Sequence, residues 1–447
     1  MKSARALSIP WLWCWSQSPA ALLLRSRLRK YGYSLAEQAL AVGGMFLVNL
    51  VLARSESKED YGMFALSYSG LTFLAGLHNA AIVEPFTVYG AGRYRARFPE
   101  YFRMMARNHA VVVVALTALL IGLCLLFRWV APSLVSPALL GLVLSAGILL
   151  SGVFLRRAFY VQRRAGLAAA TSAVFFATVA GELWLIARAR ALDGLSAFLI
   201  PAAGWLAGGA VVAGRLPWRT TQRRFLDGEP DYWREHWKYA RWVLVTALIF
   251  QLSGQGYYWL VAGLVSVKEV AGLKAMSLVV APADQCFIAL NSLVLPVLAV
   301  HYAARQSRSL LSAWKWYAIS IGAVTSCFAL LVGAFGKTII HSLYAGKYDA
   351  VAPLLTLLAL QPLLFGVGHT MNAALKAAEA PKIVFWAYLS SGAATFFLGI
   401  PLIVRFGLRG AVYGMLLSGV SYTAAMAAGF VATFRRELWP PLVVAAG

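Results

Sequence analysis

Twelve windows of about 20 predominantly apolar residues, each long enough for a membrane-spanning helix, fall at 35–53, 62–90, 109–130, 136–155, 167–187, 194–213, 242–264, 270–300, 312–335, 350–375, 383–404 and 410–434. This constrains the chain more than anything else in it. In hydrocarbon every backbone polar group must be satisfied internally, so runs of this length fold as helices. Charged residues make up 13% of the 447 residues against roughly 25% in soluble domains. The chain therefore reads as an all-α, multi-pass membrane protein with almost no soluble domain.

The basic residues test the count. Of the 40 Lys and Arg, 29 fall in the N-terminal segment and in every second connection after it. Ten fall in the alternate connections, and, with Arg128 and Lys315 at the ends of their windows counted to the adjoining connections, Lys274 alone lies inside a span. Lys and Arg accumulate on the cytoplasmic side, so the split fixes twelve spans with both termini in the cytoplasm. A net charge of +23 also raises nucleic acid as a partner. Its distribution in short clusters between apolar runs marks topology instead, and we expect no nucleic-acid binding. The expected segments are a basic, aromatic lead-in over 1–34, a six-helix bundle over 35–213, a basic linker over 214–241, a second bundle over 242–434 and a tail over 435–447. The lead-in mimics a signal peptide, but the basic Arg25, Arg27, Arg29 and Lys30 resist translocation, so it is expected to stay uncleaved at the inner face. The linker's Tyr232-Trp233-Arg234-Glu235-His236-Trp237-Lys238 suits an amphipathic helix on membrane lipids.

A short motif divides the chain in two. Lys58-Glu59-x-x-Gly62-x-x-Ala65-x-Ser67 recurs 210 positions later as Lys268-Glu269-x-x-Gly272-x-x-Ala275-x-Ser277. Both copies lie on the outer side, between the first and second span of a six-span half. Pro85 and Pro296 follow them at nearly equal distances. Six spans separate the copies, an even number, so the halves insert in the same direction. Such a repeat predicts a pseudo-twofold axis along the membrane normal and a cavity between the halves.

Catalytic motifs are missing: no GxxxxGK[ST] phosphate loop, no HExxH, no CxxC, and no outer connection large enough to house a catalytic site. The four cysteines (Cys14, Cys124, Cys286, Cys327) have no metal or disulfide spacing and read as small packing residues. We expect neither an enzyme nor a cofactor. Polar groups at membrane depth are costly and mark function. Cavity candidates are Arg54, Lys274, Gln251, Gln255, Tyr258, His78, Asn291, His369 and Asn372; the ion-coupling candidates are Asp284, Glu84 and Glu182. Each has a plainer reading. Gln, Asn and His bond neighbouring helices, Lys274 can snorkel outward, and Glu84 lies near enough to the interface to be solvated. Asp284, mid-span, is the hardest to explain as structure.

Several stretches resemble the polysaccharide-transport branch of the multidrug/oligosaccharidyl-lipid/polysaccharide exporter superfamily. They are Leu52-Ala-Arg54 through Glu59-Asp-Tyr61-Gly62-Met-Phe64-Ala65, then Val294-Leu-Pro296-Val-Leu-Ala299, then Pro401-Leu-Ile403 followed by Gly407-Leu408-Arg-Gly410-Ala411-Val-Tyr-Gly414. The basic Arg156-Arg157 and Arg163-Arg164 after span four fit too, and with the layout the resemblance spans about 35–434. It implies two six-helix bundles around a V-shaped, alternating-access cavity in the bacterial inner membrane. It also implies a flippase for an undecaprenyl-pyrophosphate-linked oligosaccharide, with the polysaccharide polymerase machinery as a further partner. The sparsely charged lumen and the prominence of Asp284 depart from that pattern. A multidrug or organic-cation antiporter on the same fold is the alternative, and a non-transporting membrane scaffold a third.

Overall fold

The computed structural model describes residues 19–132, 135–189, 192–217 and 232–438. The first 18 residues of the lead-in with Cys14, half of the linker (218–231), 133–134, 190–191 and most of the tail (439–447) lie outside the described residues. Twelve long helices run through the rest. The first half holds α1 (Pro19–Ser55), α2 (Lys58–Ala91), α3 (Phe98–Val130), α4 (Pro137–Val161), α5 (Ala165–Ala189) and α6 (Ser196–Val212). The second holds α7 (Tyr232–Leu264), α8 (Val267–Ala303), α9 (Ser307–Tyr344), α10 (Asp349–Ala377), α11 (Pro381–Phe406) and α12 (Leu408–Leu438). Ten of these are long and apolar enough to cross a membrane by length and composition, and α7 and α8, at 33 and 37 residues, complete the twelve. Every window expected from the sequence is a helix. Among the described residues there is no strand.

Local chemistry explains the helix ends. Ser57 caps α2 by accepting from the Asp60 N–H, and Ser266 caps α8 by accepting from the Glu269 N–H, with acidic residues in each first turn. The two copies of the Lys-Glu motif are thus matching helix starts. Prolines explain the irregularities. In α2 the turn over Asn79–Val83 widens to a π-helix just before Pro85, and in α11 the turn over Thr395–Gly399 does so just before Pro401. A proline has no N–H for the carbonyl four residues back, and the widened turn absorbs the misfit.

The packing of apolar side chains shows where the halves join. One buried core crosses between them near their outer ends, joining Tyr61 and Phe64 of α2 to Val270 and Leu273 of α8, Tyr344 of α9 and Leu355 of α10. Toward the inner ends each half has cores of its own: Phe86, Phe98, Phe102 and Phe154 in the first, Phe287, Leu310, Tyr317 and Phe430 in the second. The apolar cores of the two bundles are therefore fused outside and separate inside, where α7 meets the inner end of α2 through polar contacts such as Tyr239–Glu84 and His236–Ala81. Gly62 permits the outer closure, since a Cβ there would stand 2.2 Å from the Val267 carbonyl oxygen.

Candidate functional site: a cavity open toward the basic face

A cavity of about 880 Å³ lies between the halves, walled by α1, α2, α4 and α6 on one side and α7 and α8 on the other. On α1 its lining runs from Ser34 to Asn49, fifteen steps of about 1.5 Å or about 22 Å of helix. It reaches the inner helix ends at Ser34, Arg157 and Tyr160 and stops below the packed outer core.

Near the inner end, Glu37 of α1 is buried, with side-chain exposure of 6%. Its carboxylate accepts from Arg156 Nη1 (2.5 Å), the Tyr160 hydroxyl (2.8 Å) and Ser172 Oγ (3.1 Å). Three donors on two helices hold a charge that would otherwise be costly to bury. The Arg156 guanidinium also lies over the Trp205 ring, 5.0 Å from its centroid. That ring stacks on Phe175 at 4.2 Å and rests against Gly152, where a Cβ would come within 2.7 Å. Arg156 is thus committed to Glu37 and Trp205. Its neighbour Arg157 lines the same cavity, is exposed to it, and forms no hydrogen bond or ion pair with a described residue.

The deep end holds Lys274 of α8, whose ammonium sits 3.9 Å from the Tyr68 ring centroid and 5.9 Å from that of Tyr258. A cation over two rings is stabilised without a carboxylate. Between the two ends, Gln255 of α7 and Asp284 of α8 face the cavity. Across the mouth, Gln38 Nε2 donates to Gln285 Oε1 at 3.1 Å, joining α1 to α8.

Of the residues expected from the sequence, Lys274, Gln255, Tyr258 and Asp284 come together on the cavity wall. The others lie elsewhere. Gln251 is buried in the α2–α7 seam, where Nε2 donates to the Thr72 carbonyl at 2.9 Å against Gly76. Arg54 is at the outer end of α1, bonded to the end of α9. His78 is buried inside the first bundle, with Nε2 2.9 Å from His109 Nδ1. His369 and Asn372 belong to a polar cluster inside the second bundle with Tyr388 and Tyr422. Glu84 accepts from the Tyr239 hydroxyl at 3.1 Å. Glu182 on α5 and Asn291 on α8 are half-buried and do not line the cavity.

Sequence reasoning missed Glu37, Tyr160, Trp205 and His109, and took Arg156 and Arg157 as topology signals and as part of the family resemblance, not as cavity residues. Glu37 carried a signal: it is the sole acidic residue in the first apolar window, 119 positions before the arginine it pairs with.

No family model matches the chain, and no curated protein sequence matches it. Solved structures do. An inward-facing multidrug resistance MATE family transporter of the MOP superfamily superposes with a TM-score of 0.72 at 12% identity, over 90% of this chain and 98% of that one. An outward-facing structure of such a transporter gives 0.64 at 12% identity, over 92% and 94%. A MOP superfamily transporter from Pyrococcus furiosus Vc1, described as having a binding pocket of reversed polarity, gives 0.63 at 13% identity, over 90% and 96%. The higher score with the inward-facing structure fits a cavity closed at its outer end. By its two six-helix bundles and the cavity between them, the chain has the fold of the MATE transporters of the MOP superfamily.

Proposed function

We propose that this protein is an alternating-access exporter of an amphiphilic anion, a polyprenyl-pyrophosphate-linked oligosaccharide, carried from the inner to the outer face of the bacterial inner membrane. The observation that carries the reading is Arg157, a cavity-facing guanidinium left unpaired beside a paired Arg156. Arginine binds phosphate oxygens with a planar fork of donors, so an unpaired one at the cytoplasmic mouth favours a phosphorylated headgroup. Lys274, some way deeper, offers that headgroup a second cation along the path. The polar walls at Gln255, Gln38 and Gln285 suit hydroxyl-rich sugar. Among the described residues a single hydrogen bond, Gln38 to Gln285, joins α1 to α8. That thin seam lets the lipid tail stay in the bilayer while the headgroup crosses. The polymerase that consumes the exported glycan is the expected partner at the outer face.

A second reading draws on Asp284, a carboxylate exposed on the cavity wall, and on the multidrug transporters that share the fold. In it the cargo is an organic cation. Deleting the gene separates the two. The first reading expects loss of surface glycan and a build-up of cytoplasm-facing lipid-linked sugar, reversed by the wild-type gene and not by Arg157→Ala. Unchanged glycan with new sensitivity to cationic drugs would establish the second.

A further inference from the structure

We infer that the outer gate is a reciprocal clasp in which a cation from each half caps the exposed helix end of the other. The inference rests on the alternating-access reading, because only there does the outer contact have to open.

A helix leaves its last four carbonyls without intrahelical donors. At the end of α9 these belong to His341, Ser342, Leu343 and Tyr344. The Ala345 and Gly346 N–H groups donate to the His341 carbonyl through a left-handed turn, and the Lys347 N–H donates to that of Tyr344. Ser342 and Leu343 remain. Arg54, in the last turn of α1, donates to both, Nη2 to Ser342 at 2.6 Å and Nε to Leu343. The return contact comes from Lys347, just beyond α9. Its ammonium donates to the carbonyls of Ala53 (3.1 Å) and Glu56 at the end of α1. Each cation also lies at the negative end of the other half's helix dipole.

The second side of the outer end is closed differently, by the Lys268–Glu59 pair at 2.6 Å and by Gly62 against the Val267 carbonyl. The clasp has no duplicate: the position 210 after Arg54 is Leu264. It is therefore a device added to one side of a duplicated frame. Opening outward strips four carbonyls of their donors at once. Arg54 is thereby a gating residue, not a cavity residue.

The test uses the full-length protein with Glu59→Cys and Lys268→Cys, joined by a short thiol-reactive cross-linker and read by mass spectrometry of the linked peptides. Linking arrests transport and is reversed when the linker is cleaved. Adding Arg54→Gln and Lys347→Gln slows linking about fivefold, as expected for charged contacts at a water-facing end, with Arg54 exposed and Lys347 half-buried. It also speeds labelling of Ser277→Cys by an impermeant reagent applied outside. Arg54→Lys with Lys347→Arg restores both values most of the way. The single Gln variants, each expected to give part of the effect, serve if the double variant does not purify as a monodisperse protein. Wild-type linking and labelling rates in the Gln variants would overturn the clasp. Complete linking that leaves transport running would overturn the alternating-access reading instead.

Discussion

Glu37, Arg156 and Arg157 divide the work at the cavity mouth between holding and binding. Glu37 accepts three hydrogen bonds and is nearly buried. Glu37→Ala removes the acceptor and leaves the Arg156 charge uncompensated, which costs about 3 kcal/mol. The expected result is a clear drop in the melting temperature of the purified protein. Arg157→Ala removes a side chain with no described partner, so the melting temperature stays near wild type while transport falls. Equal destabilisation by both would contradict this division. A quieter exchange links the linker helix to α2. Pro85 leaves the Ala81 carbonyl without its usual N–H donor, and His236 Nε2 supplies the bond from α7 at 2.8 Å. His236→Ala should therefore cost about 1–2 kcal/mol, and less in a Pro85→Ala background, where the α2 backbone can bond Ala81 itself. A double-mutant cycle measured by thermal unfolding checks this. Strict additivity of the two substitutions would mean that the residues do not share that carbonyl.

At the scale of elements, α2 is the common wall of both seams. Its outer part meets α8 through Gly62, and its middle meets α7 through Gly76, where a Cβ would overlap the Gln251 amide at 1.6 Å. Gly62→Val puts a branched side chain against backbone that cannot give way, so the outer end cannot close. Outside labelling of Ser277→Cys should rise and inside labelling fall. The reverse pattern would place the gate elsewhere. The connection after α1 adds a pH term. Glu56 has its carboxyl raised above the ordinary carboxylate range, first by burial and then by Asp60 and Asp193, with Lys347 opposing. The folded protein therefore favours the neutral form. Its stability is fullest below the ordinary carboxylate range and falls as pH rises through the raised value. Glu56→Gln should remove that dependence; a melting temperature that keeps its pH profile in the variant would rule Glu56 out. Much at this scale was legible in the sequence. Apolar length gave every helix, and the Lys-Glu motif gave the matching starts of α2 and α8, because both signals are local. The π turns beside Pro85 and Pro401 were not, since a proline within an apolar run does not say how the backbone absorbs it.

At the scale of the whole molecule, the duplicated frame was legible and its asymmetry was not. Charge alternation oriented the halves and so pointed to a cavity between them, which α1, α2, α4 and α6 wall on one side and α7 and α8 on the other. Four of the polar residues expected at membrane depth do line it. Of the rest, His78, Gln251 and Asn372 are buried where side chains of distant segments meet, as with His78 against His109 or Asn372 against Tyr388 and Tyr422. Depth in a span does not say toward which neighbour a side chain points. For the same reason the Glu37–Arg156 pair and the Arg54–Lys347 clasp escaped a reading of spans and connections. The account as a whole makes the cavity a path for a phosphorylated lipid headgroup gripped first by Arg157. The most direct test reconstitutes the protein in vesicles carrying a polyprenyl-pyrophosphate-linked oligosaccharide in one leaflet, and follows its appearance in the other with an impermeant glycosidase. The account predicts protein-dependent transfer that slows at least about tenfold in Arg157→Ala, as expected when a charged hydrogen bond worth about 1.5 kcal/mol or more is lost. Transfer no faster than in protein-free vesicles, with uptake of a cationic dye by the same vesicles, would contradict it.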